Sequence, residues 1–385
     1  MLSTDKNIFV EGSEVRQRMA DYGGLVEELH IVIKTKNAKL KTQNFSNVFL
    51  YPTNTKINLF YFWDAYKISS GILRNLKLLA RRSFSEGGEI RNCVITTQDP
   101  FETGWVGYLL KKKFKLPLQI QIHTDFLSPY FWRESLKNKV RVLMAQRLVK
   151  KANCLRVVSE RIKNSLLSLY PKPHTLNPIT VLPIVYDMDR FTNGSVKINL
   201  HTKYKKHEPI ILMASRLTKE KNVGMAIKAM KDIITDYPKT LLLIVGDGPE
   251  LDGLKLQVTS YKLQNYVIFE SWTNDIISYY KTADFFILTS NYEGGARSPS
   301  EAIASGLPVI MTDVAPANEI VINNINGFVV PVGNSHILAS RMIELIIDKK
   351  KCKEFAQNAL ETSQNFISKK EYIERYKIAL INVIF

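Results

Sequence analysis

Residues 285–311 constrain the fold more than any other part of this chain. Residues 285–289 and 307–311 are short apolar runs with the length and composition of buried strands. The segment between them contains a glycine pair and continues into a stretch that favours a helix, with Pro299 suited to the first helical position. A strand, a loop, a helix and a second strand in this order predict a parallel sheet covered by helices.

The loop before this helix is predicted to bind an anion. We expect Ser298 to cap the helix and Gly306 to close it, so that unpaired N–H groups and the positive end of the helix dipole face the loop. Glycine residues let a phosphate approach the backbone closely. Glu293 and Glu301 add a carboxylate at each edge. The loop residues predicted to contact a nucleotide diphosphate are Gly294, Gly295, Ala296 and Arg297.

Glu301 has a second interpretation. The spacing Ser298-x-x-Glu301 also matches a capping box, in which the glutamate accepts a hydrogen bond from the amide of the cap residue and has no ligand. Both interpretations stay open from these residues alone.

The length and composition predict a two-domain protein. A chain of 385 residues exceeds the usual size of a single core, and a hydrophobic content of 45% is sufficient for buried cores. No apolar run approaches the roughly 18 residues needed to span a bilayer. The first residues lack the apolar core of a signal peptide, and Cys93, Cys154 and Cys352 cannot form a closed disulfide set. We therefore expect a cytoplasmic protein.

The positive charge is concentrated in the N-terminal half. Residues 1–188 contain 29 Lys and Arg against 15 Asp and Glu, a net charge of +14, and the remainder contributes +3. The basic residues cluster at 111–115 and 137–163, where apolar residues alternate with them at helical spacing. Such a surface suits anionic lipid headgroups or nucleic acid, and it also occurs on ordinary solvated helices. Lipid is favoured over nucleic acid because no nucleic-acid motif accompanies the charge.

Further strands alternate with helical or polar segments along the chain. Strands are expected to begin near His30, Val48, Val94, Leu118, Leu155, Ile210, Leu241 and Val267. This alternation predicts the α/β class.

Several motifs in the C-terminal half resemble the retaining glycosyltransferases of family 4, which have the GT-B fold. Glu293 and Glu301 match the E-x7-E motif of that family, and residues 306–310 match its G-x-P-V-I segment. Upstream, residues 216–221 resemble the R-L-x-x-x-K segment, and residues 245–250 resemble the V-G-x-G-P-E segment. The matches cover the C-terminal half well and the N-terminal half more loosely.

The resemblance implies two Rossmann-like domains that face each other across a cleft. We expect an acceptor domain over residues 1–188, a linker over 189–207, a nucleotide-sugar donor domain over 208–365, and a C-terminal helix over 366–385 that returns to the first domain. Family members begin with a full apolar strand, whereas here only Leu2 precedes the first polar residues. The first strand is therefore short, or the true start lies upstream.

The resemblance also implies roles for individual residues. The cations of Arg216 and Lys221 would bind the donor diphosphate and stabilise the leaving group, with surface charge on a loop as the alternative. Glu301 would accept hydrogen bonds from the ribose. Glu293 would bind the transferred sugar and favour positive charge near its anomeric carbon.

Two loops of the N-terminal half complete the implied site. His123 follows the apolar run 118–122 and matches the position where the family places a histidine beside the donor sugar, with Asp125 as a neighbouring polar contact; a packed histidine is the alternative. Gly12 and Ser13 match the first loop facing the cleft, and an ordinary helix cap explains them equally well. The residues assigned to catalysis are Glu293, His123, Arg216 and Lys221.

No metal site is predicted. Asp187 and Asp189 form the D-x-D signature of another glycosyltransferase fold, but they match a segment at the domain exit that binds no metal in this family. No Cys/His cluster has metal-ligand spacing. No cofactor is expected, since the nucleotide sugar is a substrate.

We interpret the chain as a retaining, metal-independent glycosyltransferase that moves a sugar from a nucleotide-diphosphate-sugar donor to a glycan or lipid-linked glycan. An anionic membrane surface is a further expected partner, with a peripheral position on the inner face of the membrane. The alternatives are a basic nucleic-acid-binding protein, a GT-B phosphorylase and an inactive relative.

Overall fold

The computed structural model describes residues 1–36, 39–57, 60–83, 93–171, 176–185 and 187–383, without the side chains of residues 79–83. The strands are β1 (Leu2–Ser3), β2 (Leu29–Ile33), β3 (Gln43–Phe45), β4 (Val48–Pro52), β5 (Ile95–Thr97), β6 (Leu118–Ile122), β7 (Cys154–Val157), β8 (Ile179–Val181), β9 (Ile210–Ala214), β10 (Leu241–Val245), β11 (Val267–Glu270), β12 (Phe285–Leu288), β13 (Val309–Thr312) and β14 (Gly327–Val330).

The α-helices are α1 (Glu14–Gly23), α2 (Tyr61–Ser83), α3 (Glu102–Phe114), α4 (Pro129–Glu134), α5 (Leu136–Leu148), α6 (Glu160–Leu169), α7 (Asp189–Asn193), α8 (Leu200–Lys203), α9 (Val223–Ile233), α10 (Leu251–Ser260), α11 (Ile276–Thr282), α12 (Arg297–Ala304), α13 (Ser335–Ile347), α14 (Lys349–Ser363) and α15 (Lys369–Ile381). Short 3-10 helices cover Lys6–Phe9, Val149–Lys151 and Lys219–Lys221. Among the described residues, no helix is long and apolar enough to cross a membrane.

The first half of the chain forms an eight-stranded sheet with the order β3-β4-β2-β1-β5-β6-β7-β8. Its neighbouring strands are parallel, apart from the antiparallel pair of β3 and β4. Helices cover both faces, which explains why strands such as β6 are continuous apolar or buried runs. The first strand is short, as expected, but it occupies the centre of the sheet: Leu2 pairs with Val32 on one side and Thr97 on the other.

The second half forms a six-stranded, fully parallel sheet with the order β11-β10-β9-β12-β13-β14. The predicted strand-helix-strand unit is present as β12, α12 and β13. Gly306 adopts a φ of +74° just beyond α12 and closes the helix as predicted. Each half thus buries its own core around its own parallel sheet.

Three strands were missed from the sequence. The edge strand β3 reads Gln-Asn-Phe, and β8 has three residues, so neither presents a clear apolar run. β14 begins at Gly327, where an added Cβ would lie 1.9 Å from the carbonyl oxygen of Val309. Glycine is needed there because the neighbouring strand approaches too closely for any side chain.

Helix α15 packs on the first sheet through a buried arginine. Arg156, on β7, donates to Gln121 Oε1 at 2.7 Å, to the Leu182 carbonyl at 3.1 Å and to the Tyr372 hydroxyl at 2.9 Å. Its guanidinium also lies 5.1 Å from the ring centroid of Tyr376. The end of the chain therefore supplies hydrogen-bonding and aromatic partners to a charge that would otherwise be costly to bury.

We expect Tyr372→Phe to lower the free energy of unfolding by about 1.5–3 kcal/mol, because the variant removes an acceptor from a buried cation. Urea denaturation followed by circular dichroism measures this change. Tyr261→Phe, at a half-buried tyrosine of the second half, is the matched control and should behave like wild type. Equal stability of Tyr372→Phe and wild type would contradict a role for this hydroxyl in holding α15.

Candidate active site

A buried ion pair joins two loops at one edge of the second sheet. Lys221 follows β9 and Glu293 follows β12, and these neighbouring parallel strands end at the same edge. Lys221 Nζ lies 2.5 Å from Glu293 Oε1, and the lysine side chain is 13% exposed. Ser290 donates to the same carboxylate oxygen at 2.7 Å. Sequence reasoning missed Ser290, although its place just beyond β12 was a usable signal.

The cations of this edge differ in exposure and share one carboxylate. Glu220 Oε1 lies 3.1 Å from Lys221 Nζ and 2.9 Å from the guanidinium of Arg216, whose side chain is 63% exposed. Burial opposes the charged form of Lys221, but Glu293 and Glu220 favour it more strongly, so the pKa of Lys221 is raised. The lysine is therefore charged at neutral pH. Surface charge on a loop, the alternative considered above, describes Arg216 and does not describe Lys221.

The loop that follows Glu293 docks on the first half of the chain. The backbone N–H of Asp125 donates to the Glu293 carbonyl at 3.2 Å. A Cβ added to Gly294 would lie 1.9 Å from the carbonyl oxygen of His123, so only glycine fits this contact. The structure thereby brings the backbone at His123 and the loop after Glu293 together from the two halves of the chain.

His123 is half-buried and neutral. Its Nε2 lies 3.1 Å from Gln121 Oε1, an oxygen that can only accept, so Nε2 carries the proton and Nδ1 does not. Burial and the positive charges of Arg156 and Arg18 lower the pKa of His123 well below its ordinary value. At neutral pH the side chain is a hydrogen-bonding group and carries no charge.

Helix α12 starts at Arg297, two positions earlier than the predicted start at Pro299. Its cap residue is Ala296, whose methyl group cannot accept from the first N–H groups. Glu301 accepts from Arg297 Nε at 2.5 Å and from the Tyr280 hydroxyl at 3.0 Å. The capping-box interpretation is therefore wrong, because the Glu301 carboxylate bonds side chains and not the amide of a cap residue.

Arg297 connects the two halves of the chain across the cleft. Its terminal nitrogens donate to the two carboxylate oxygens of Glu14 at 2.6 and 3.1 Å, and Arg190 lies 3.1 Å from the same carboxylate. The hydrogen bond from Arg297 lowers the pKa of Glu14. Gly12, with a φ of +75°, and Ser13, which caps α1, directly precede Glu14. Sequence reasoning missed Glu14 because its partner is 283 residues away.

A second contact between the halves lies at the start of α6. The Glu319 carboxylate accepts from the N–H groups of Glu160 and Arg161 at 3.0 and 3.1 Å, and the Arg161 guanidinium pairs with Asp313. An open cleft of about 880 Å³ borders this contact. None of the predicted site residues lines that cleft, which therefore lies outside the candidate site.

The structure groups the predicted residues around one edge of the second sheet. Lys221 and Glu293 form its centre, the backbone of His123 lies against the loop after Glu293, and Arg216 lies beside Lys221 through Glu220. Gly12 and Ser13 are connected to the site through Glu14, which follows them in the chain and pairs with Arg297. The remaining predicted residues are Gly294, Gly295, Ala296, Arg297 and Glu301, in the loop and helix after β12. In the described part of the chain, no three His, Cys, Asp or Glu side chains come together in a way that could hold a metal ion.

Comparison with known proteins decides the family. Residues 197–362 match the family model described as glycosyl transferases group 1. The second half of the chain is a domain of this family. The resemblance seen in the motifs of the C-terminal half is therefore confirmed.

The chain is similar to curated proteins over much of its length. It is 28% identical over 334 residues to the alpha-monoglucosyldiacylglycerol synthase of Streptococcus pneumoniae, covering 82% of this chain and 74% of the relative. It is 27% identical over 256 residues to the Escherichia coli UDP-Gal:alpha-D-GlcNAc-diphosphoundecaprenol alpha-1,3-galactosyltransferase, covering 64% of this chain and 65% of the relative.

The fold of the chain is GT-B, as predicted. The sucrose-phosphate synthase of Thermosynechococcus elongatus superposes with a TM-score of 0.75 at 20% identity, covering 98% of this chain and 94% of that one. At such low identity the similarity shows the fold alone.

We expect Lys221→Met to lower the free energy of unfolding by about 3–5 kcal/mol, because it leaves the buried Glu293 carboxylate without its cation. Arg216→Met is the matched control from the same segment and should change stability by less than about 0.5 kcal/mol, since its side chain is exposed. Urea denaturation of both variants at neutral pH, without ligand, makes the comparison. A Lys221→Met variant as stable as Arg216→Met would show that the ion pair contributes nothing to the fold.

Proposed function

We propose that this chain is a retaining, metal-independent glycosyltransferase that transfers a sugar from a nucleotide-diphosphate-sugar donor to a glycan or lipid-linked glycan acceptor. The observation that carries the proposal is the buried Lys221–Glu293 pair, held against His123 of the other half. It supplies a charged donor for phosphate oxygens and an acceptor for sugar hydroxyls within one small volume.

The cationic side of the site would bind the diphosphate. Lys221 is fixed and charged, and the exposed Arg216 lies beside it through their shared partner Glu220. The uncapped start of α12 adds N–H groups and the positive end of the helix dipole. When the bond between the sugar and the diphosphate breaks, negative charge grows on the leaving phosphate, and these groups stabilise it.

The acidic side of the site would bind the sugar. Glu293 accepts hydrogen bonds from hydroxyl groups and favours positive charge developing at the anomeric carbon. His123, being neutral, does not oppose that charge. In a front-face displacement, the acceptor oxygen bonds to the anomeric carbon on the face from which the diphosphate departs. The leaving phosphate oxygen takes the acceptor's proton, so no separate base is required.

Glu301 would hold the nucleoside. Arg297 and the Tyr280 hydroxyl already fix the carboxylate in one orientation, and its remaining acceptor capacity suits the two hydroxyls of a ribose. Positioning of this kind lowers the entropy lost when the donor binds.

The names of the relatives support the substrate classes. The E. coli relative is named for UDP-Gal and a diphosphoundecaprenol-linked acceptor, and the S. pneumoniae relative is named as a synthase of a glycosylated diacylglycerol. Both names include a sugar that is linked to a lipid. Retention and metal independence rest on the resemblance to family 4.

A panel of nucleotide sugars should identify the donor by thermal stabilisation. At 100 times its dissociation constant the true donor should add about 2.7 kcal/mol to the stability of the folded state. Arg216→Ala should weaken that binding by about 1.5–3 kcal/mol while leaving the ligand-free melting temperature unchanged. If no nucleotide sugar stabilises the protein, the proposed donor site is wrong. Sugar release from a glycan driven by inorganic phosphate would instead indicate a phosphorylase.

Glu293→Gln and Glu301→Gln should have different effects on turnover and on nucleotide binding. Because Glu293 faces the reacting sugar, its variant should lower turnover by about 100-fold or more with a smaller change in donor affinity. Glu301→Gln should mainly weaken binding of the free nucleoside diphosphate, which isothermal calorimetry measures directly. Identical kinetic and binding defects in the two variants would argue against separate sugar and ribose roles.

A further inference from the structure

Three of the four tryptophans lie on the outer surface of one helical layer. Trp63 on α2, Trp105 on α3 and Trp132 on α4 are between 36% and 49% exposed. These helices and α5 share one core on the same face of the first sheet, with α3 between α2 and α5. Exposed tryptophan is uncommon on a free surface and is enriched where one side of the ring is apolar and the other is wet. A partner that covers this layer is therefore indicated.

Helix α5 carries an apolar stripe on the same surface. Leu136, Val140 and Leu143 are exposed and follow the i, i+4, i+7 spacing of one helix face, while Val142 and Leu148 pack inward. Leu136 is 79% exposed. Aliphatic side chains in such a stripe gain free energy only when an apolar medium or an apolar partner covers them.

Lysines alternate with the aromatic rings of this surface. The ammonium of Lys113 lies 5.2 Å from the ring of Tyr66, and that of Lys112 lies 5.7 Å from the ring of Tyr108. Trp105 in turn packs against Tyr108, with centroids 6.0 Å apart. Cations and amphipathic aromatic rings that lie side by side on one surface suit the headgroup region of a bilayer.

The helices that carry this surface, with their adjoining turns, hold much of the charge of the chain. Residues 61–78, 102–115 and 129–151 contain 14 Lys and Arg against three Asp and Glu, a net charge of +11 out of +17. This charge selects an anionic partner. The apolar stripe and tryptophans favour a lipid surface over nucleic acid, because phosphates along a duplex offer nothing to exposed leucine and valine side chains.

Helix α4 joins this surface to the active-site cleft. Its Glu134 accepts a hydrogen bond from the hydroxyl of Tyr292, next to Glu293, and the hydroxyl of Tyr130 donates to the Val332 carbonyl at 3.4 Å. A lipid-linked acceptor lying in a bilayer under this surface would be close to the reacting sugar.

We propose that the outer face of α2, α3, α4 and α5 is a docking surface for the headgroup region of an anionic bilayer, with Trp63, Trp105 and Leu136 entering the apolar boundary. The proposal rests on the proposed function, since a bilayer is where a lipid-linked acceptor is presented. Lys111, predicted with its neighbours to face lipid, does not belong to this surface. Its ammonium donates to the Lys151 carbonyl and Asn153 Oδ1, both at 2.7 Å, and thereby holds α3 to the turn after α5.

Cosedimentation of the full chain with vesicles of phosphatidylglycerol and phosphatidylcholine tests the surface. Substituting Leu136, Val140 and Leu143 together by serine should lower the partition coefficient about tenfold or more. Leu256→Ser, at an equally exposed leucine of the second half (72%), is the matched control and should bind like wild type. Equal binding by the triple variant and wild type would overturn the proposal.

The contribution of the positive charge to vesicle binding is tested by a separate experiment. Lys112→Gln and Lys113→Gln should each lower binding to anionic vesicles about fivefold at low salt. The same substitutions at the exposed Lys350 and Lys353 of the second half are the control. Equal binding to pure phosphatidylcholine vesicles, or salt-sensitive binding to duplex DNA with none to vesicles, would overturn the proposal, the second in favour of nucleic acid.

Quenching of tryptophan fluorescence by brominated lipids locates the contact. Trp272→Phe should keep the quenching, and Trp63→Phe combined with Trp105→Phe should lose most of it. The opposite pattern would place the contact in the second half and overturn the proposal.

Donor-induced thermal stabilisation, measured without vesicles, distinguishes a failure of the docking surface from a failure of the proposed function. Normal stabilisation without vesicle binding refutes the docking surface alone, whereas vesicle binding without any donor effect refutes the proposed function.

Discussion

The arrangement of this molecule depends on the buried ion pair of Lys221 and Glu293. Either charge, buried without the other, would be strongly unfavourable, so the loops after β9 and β12 must come together when the second half folds. The pair also fixes the direction in which the chain leaves Glu293. Gly294 can then contact the backbone at His123, and the two halves meet at that contact.

Opposite charges alternate through the rest of the site. Glu220 links Arg216 to Lys221, and Glu14 and Glu301 hold Arg297 from two sides. Each long side chain therefore has a defined orientation, which reduces the side-chain entropy that binding would otherwise remove. His123 stays neutral because burial, and then the positive charges of Arg156 and Arg18, lower its pKa.

The two faces of the sheet in the first half treat positive charge differently. One face of its sheet holds α1 and α15 over a core with tyrosines and the buried Arg156, whereas the other holds the basic layer of α2 to α6. The buried charge of Arg156 is satisfied inside the protein. Lysines of the outer layer keep theirs at the surface, where Lys112, Lys113 and Lys139 lie against aromatic rings.

The amino-acid sequence by itself determined the α/β class, the family of the second half, most of the strands and the unit around α12, because these follow from local runs of apolar residues and from glycines and proline at fixed spacing. It did not distinguish Lys221 from Arg216, five positions apart in one motif, nor Lys111 from Lys112. It also left open whether Glu301 closes a capping box, and it did not find Glu14. Burial and ion pairing are properties of segments that meet from distant parts of the chain, such as Glu14 and Arg297, and only the tertiary structure decides which side chains meet.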